Sequence, residues 1–211
     1  MEIDEKKLRT SPFELRFMES VFWAGDIDVF LQKRKEIFDF NPKNLEGVLL
    51  KSAKVTDIMV FSPWSFGIRF IVSEKVVNVL TKNNVSKQEY HLLPIDIRGI
   101  DIRYFMLFIP YIPKEEIIFS RSIYYEQNDL TGQRKYFKSV DSPKEYEKQT
   151  ADTYSITFDR ICLPQKYQAY DLLDVIVLPY LYVSEVLLEE LQSSEITSLN
   201  CLEGGPEIIF L

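Results

Sequence analysis

Two stretches of this chain, 72–86 (VSEKVVNVLTKNNVS) and 183–197 (VSEVLLEELQSSEIT), carry the same pattern, and that pattern constrains the fold more than any other feature. Val72, Ser73, Glu74 and Leu80 fall on the identical Val183, Ser184, Glu185 and Leu191, and Val76, Val77, Val85 and Ser86 fall on similar residues. Each copy reads as a strand end, a capped helix and the start of a further strand. Ser73 and Ser184 stand where an N-cap hydroxyl would accept from an orphan helix N–H. Glu74 and Glu185 follow in the first turn, where negative charge complements the helix dipole. Val76, Val77 and Leu80 form the expected core stripe of one helix, and Leu187, Leu188 and Leu191 that of the other. Similarity running past the helix into the next apolar segment points to duplication rather than to two unrelated amphipathic helices.

Around these copies the chain reads mainly as strands. GVLLKSAKV, DIMVF and GIRFIV precede the first helix, and EYHLLPIDI and DIRYFMLFI follow it about an Arg98-Gly99 turn. Pro94 marks the first of that pair as an edge or bulged strand. Ile117–Phe119, TYSITF, DVIVLPYLYV, ITSLNCL and EIIFL are further extended candidates, the last two flanking Gly204-Gly205-Pro206. Upstream, 26–39 suits a helix, while 11–22 has a capping-box start but strand-like alternation. In the polar interval 120–152, Asp129–Gly132 is a turn candidate and Ser142-Pro143-Lys144-Glu145 predicts one short helix. Strands outnumber helices without alternating with them. The expectation is therefore an α+β fold, a mainly antiparallel sheet with a few packed helices, built from two pseudo-repeated strand–helix–strand units. It is read as a single globular domain over 1–211, with units at about 46–120 and 152–211 and an N-terminal helical segment at 11–40.

Chemistry is hard to find in this sequence. The one histidine, His91, lies in an apolar run and reads as a core or edge residue. Two cysteines, Cys162 and Cys201, make no CxxC pair and read as reduced core thiols, so a His/Cys zinc site cannot be assembled. EF-hand, P-loop, Rossmann and nucleophile-elbow patterns are all missing. The paired carboxylates Glu115-Glu116, Asp171/Asp174 and Glu189-Glu190 invite a hydrolase reading, but a solvated face accounts for them better. No catalytic, cofactor or metal residues are assigned.

Charge is more informative than motif. The net charge is −7, and residues 151–211 hold ten acids against only Arg160 and Lys166. Such an acidic third argues against a nucleic-acid backbone as ligand and suits a basic partner. No run reaches the roughly 20 apolar residues of a membrane span, and the charged N-terminal stretch does not read as a signal peptide. The expected location is the cytoplasm.

Thr56-Asp57-Ile58, then FIVSEKVV (70–77) and a helix, then EYHLLP (89–94), resembles a family of bacterial polymorphic-toxin immunity proteins. In that family a T-D-I-like entry precedes a V-S-E helix, and a second serine–glutamate helix with an I-T-G-like turn lies near the C-terminus. Val183-Ser184-Glu185 and Ile196-Thr197 match the second block, with Ser198 in the place of the usual glycine. The resemblance covers about 55–120 and 170–202. It implies a non-enzymatic protein that neutralises a cognate toxin, with Ser73 and Ser184 as structural helix caps. On that reading Asp171, Asp174, Glu185, Glu189, Glu190 and Glu195 form a toxin-facing acidic surface. The alternatives are a scaffold module with another partner or, third, a carboxylate-dependent hydrolase.

Overall fold

The computed structural model describes residues 46–47, 49, 53–60, 68–127, 131–153, 156–202 and 204–211. The expected segments at 11–22 and 26–39 lie outside these residues, as does most of GVLLKSAKV. The chain divides into two compact units. The first runs to Ile109 and takes in Glu185–Leu199; the second is Pro110–Ser184 with Asn200–Leu211.

Among its described residues, unit one is a five-stranded sheet in the order β1-β4-β5-β3-β2 with two helices. Its strands are β1 (Glu46–Gly47), β2 (Ile58–Val60), β3 (Ile68–Ser73), β4 (His91–Ile97) and β5 (Tyr104–Phe108). The helices are α1 (Glu74–Lys82) and, returning late in the sequence, α3 (Glu185–Ser193). β2–β3, β3–β5 and β4–β5 pair antiparallel, and β1 joins β4 in parallel. Gly99 turns between β4 and β5 at φ 78°, where a side chain would be strained. Pro94 lies on the stretch of β4 that is outside its pairing with β1, so its missing N–H removes nothing from that ladder. Ile71, Leu80, Leu93, Met106 and Phe108 are among the most buried side chains.

Unit two holds two sheets. β6 (Tyr111–Ile112), β10 (Leu172–Val175) and β11 (Leu181–Val183) form one, in the order β11-β10-β6. The other runs β12-β9-β7-β8, from β7 (Ile123–Gln127), β8 (Arg134–Tyr136), β9 (Ile156–Leu163) and β12 (Glu207–Phe210). Its helix, α2 (Pro143–Thr150), begins as its sequence dictates. Ser142 Oγ accepts from Glu145 N–H at 3.3 Å, and Glu145 reaches back to accept from Asp141 N–H at 3.0 Å. α2 supplies Tyr146 to an aromatic core with Phe119, Tyr124 and Phe158. Phe119 stacks on Tyr146 with ring centroids 4.5 Å apart, and burial, then Tyr124, push the Tyr146 hydroxyl up to about 12.

The architecture is α+β and mainly antiparallel, with three α-helices among the described residues. Several local expectations are corrected. Ile117–Phe119 is not a strand; it follows a tight 3-10 turn (Lys114–Glu116), and Ile117 and Phe119 point into the core. DVIVLPYLYV is not one strand but a hairpin, β10 turning at 176–180 into β11. ITSLNCL is turn and irregular chain, so Cys201 is exposed and only Cys162 is a core thiol; both are free.

Candidate functional site

The two repeated segments adopt the same local conformation. α1 and α3 have nine residues each, and the left-handed residues that end them, Asn84 (φ 55°) and Glu195 (φ 52°), are at matching positions. Three terminal hydrogen bonds recur in step. Asn83 N–H donates to Val79 O and Ser194 N–H to Glu190 O, while Asn84 and Glu195 donate to Thr81 and Gln192. Val85 N–H to Leu80 O (3.1 Å) then matches Ile196 N–H to Leu191 O (3.3 Å), the six-to-one bond of a Schellman ending. Burial repeats too: Val76 and Leu80 are buried, as are Leu187 and Leu191, while Val77 and Leu188 are half-buried. Val79 is a further buried residue of α1 that the expected stripe did not include.

The serines do something other than expected. Ser73 has the extended backbone of an N-cap, but its side chain makes no cap bond. Its hydroxyl instead donates to Asp57 Oδ1 at 2.7 Å, and its N–H donates to the Asp57 carbonyl at 2.8 Å. Ser184 repeats both bonds, to Asp171 Oδ1 at 2.5 Å and to the Asp171 carbonyl at 2.9 Å. In each case the aspartate stands one residue before a strand that pairs back onto the strand leading to the serine, with Ile58 opposite Val72 and Leu172 opposite Val183. A strand-entry aspartate therefore belongs to the repeat. The differing spacing, 57 to 73 against 171 to 184, hides it from any fixed-shift comparison.

Asp57 also ties in a second segment of unit one. Its carboxylate also accepts from Thr197 N–H (2.9 Å) and Thr197 Oγ1 (2.8 Å), with Lys75 Nζ 3.8 Å away. The Ile58 N–H donates to the Thr197 carbonyl at 3.3 Å. Burial works to raise the Asp57 pKa, but the bonds from Ser73 and Thr197, helped by Lys75, outweigh it and hold the carboxyl below its ordinary value. Two motif ends far apart in sequence, Thr56-Asp57-Ile58 and Ile196-Thr197, are thus joined in unit one. The clasp fixes α3 beside α1, along with bonds from Lys75 Nζ to the Glu195 carbonyl (2.8 Å) and from Lys82 Nζ to Glu190 (3.2 Å).

The six expected acids do not form one set. Glu185 and Glu189 are exposed on α3 and flank Val186, which is 66% exposed. Glu190 is half-buried and turned to Lys82, and Glu195 is exposed at the left-handed end of the helix. Asp171 belongs to unit two and is engaged by Ser184. Asp174 corrects the expectation: at 2% exposure, within the fully buried β10, it is no part of a surface.

Comparison with protein-family models gives no match, and comparison with curated proteins gives none. The geometry has to stand alone.

Other sequence candidates remain dispersed. His91 is half-buried on β4 opposite Phe108. Glu116 pairs with Lys166 at 2.8 Å, as an exposed structural ion pair does. Among the described residues no group of three or more His, Cys, Asp or Glu side chains is placed to hold a metal ion, and no helix is long and apolar enough to cross a membrane.

Proposed function

We propose that this chain is a toxin-neutralising immunity protein, which acts in the cytoplasm by binding and occluding a cognate basic toxin domain without catalysis. The observation that carries the reading is the outward face of α3, where Glu185 and Glu189 flank the exposed Val186. An exposed apolar side chain beside two like charges suits a partner of opposite charge: the apolar group supplies burial, while the charges steer encounter and select the partner. α3 is well fitted to present such a face, because Leu187 and Leu191 anchor its other side and the Asp57 clasp holds its end. The net charge of −7 adds long-range attraction toward a basic domain. Of the acids first assigned to the contact, Glu185, Glu189 and Glu195 remain, Glu190 is partly neutralised by Lys82, and Asp171 and Asp174 drop out.

The test is a titration of the purified protein against basic toxin domains encoded beside its gene. Expected is a tight complex that abolishes toxin activity and weakens as salt rises, since exposed charge attraction is screened within about 10 Å at 0.1 M ionic strength. Toxins that stay active with no complex formed would contradict the proposal.

A further inference from the structure

We propose that residues 185–199 are a strap latched to unit one by Asp57, able to release and re-engage while the β3–β5 ladder stays intact. The segment reaches unit one as an insertion, since chain of the other unit flanks it at both Ser184 and Asn200. Its apolar hold is small, with Leu187, Leu191 and Ile196 as its buried side chains. Its polar hold centres on Thr197, with Lys75 on the Glu195 carbonyl and Lys82 on Glu190 as the exposed ties beside it. Thr197 gives Asp57 two hydrogen bonds, receives Asp57 N–H on its own Oγ1 at 2.7 Å, and takes Ile58 N–H on its carbonyl.

The latch is also loaded. Glu195 (φ 52°) and Ser198 (φ 62°), the residues bracketing Thr197, both lie in the left-handed region that side chains disfavour. Such conformations persist only where the surroundings over-determine them: the helix ending and Lys75 hold Glu195, and the bonds at Thr197 hold the turn at Ser198. Release therefore frees the strained Ser198 while it breaks the clasp. Cooperative segments with few buried contacts open well before the global unfolding of the domain.

Amide hydrogen exchange on the full chain, read residue by residue, tests this in the wild type, Asp57→Asn and Thr197→Val. In the wild type the α3 and Thr197 amides should exchange faster than those of β3 and β5. Each variant should speed the strap's exchange by about tenfold, the loss of roughly one charge-assisted bond, with the strap still exchanging ahead of the ladder. Thr197→Val keeps the side-chain shape, so it decides the matter even if Asp57→Asn fails to fold. A single common rate for strap and ladder in the wild type, or strap exchange left unchanged in Thr197→Val, would overturn the proposal. Because the readout needs no partner, it stands or falls separately from the toxin-binding reading.

Discussion

Asp57 is the residue on which the local structure turns, because it takes bonds from Ser73 at the head of α1 and from Thr197 beyond the end of α3. A carboxylate satisfied by several donors is stabilised in its charged form, which its lowered pKa expresses. The sign of the pH dependence follows. The folded pKa lies below the ordinary 3.8, so the contribution is fully present above that value and is lost as pH falls through the folded pKa. Replacing Asp57 with Asn should cost about 2 kcal/mol at pH 7, the scale of hydrogen bonds to a charged group. The gap between wild type and variant should close as the pH falls below 3.8 and through the lowered folded pKa. Urea midpoints at a series of pH values measure this, and a gap independent of pH would remove Asp57 as its source.

The sequence made the helices legible and their partners obscure. Serine followed by glutamate located the starts of α1 and α3 correctly, but for the wrong reason at Ser73, whose hydroxyl serves Asp57 rather than the helix. Nothing local announces a bond between residues 140 positions apart, so the clasp could only be found in three dimensions. Ser142 is the contrast: its partner is Glu145, three residues on, and the capping reading held there. Where apolar runs were misread as strands, a turn intervened. Pro179 and the exposed Tyr180 lie in the break within DVIVLPYLYV, and the left-handed Ser198 bends ITSLNCL away from extension.

At the scale of elements, α1 and α3 end alike although one closes on Asn84 and the other on Glu195. Asparagine tolerates the left-handed region through its short polar side chain, whereas glutamate does not. Glycine at either position should stabilise the protein by up to about 1 kcal/mol, with the larger gain from Glu195→Gly. Thermal or urea denaturation of the two variants ranks them. A larger gain from Asn84→Gly would mean that backbone strain at Glu195 is not what limits that end of α3.

For the molecule as a whole, the acidic bias toward the C-terminal end of the sequence is not all presented to solvent. Burial removes Asp174, and structural bonds engage Asp171 and Glu190. Within unit one, α3 keeps Glu185, Val186 and Glu189 exposed, with Glu195 exposed at its end, and this is the face proposed to meet a partner. The direct measurement is the association rate of the protein with the basic toxin domain proposed as its partner, for the wild type and for a variant carrying Glu185→Lys and Glu189→Lys, at low and high salt. Charge reversal at a contact that steers encounter should slow association by about tenfold or more at low salt, with the difference shrinking as salt screens it. Equal rates at low salt would show that α3 does not meet the toxin.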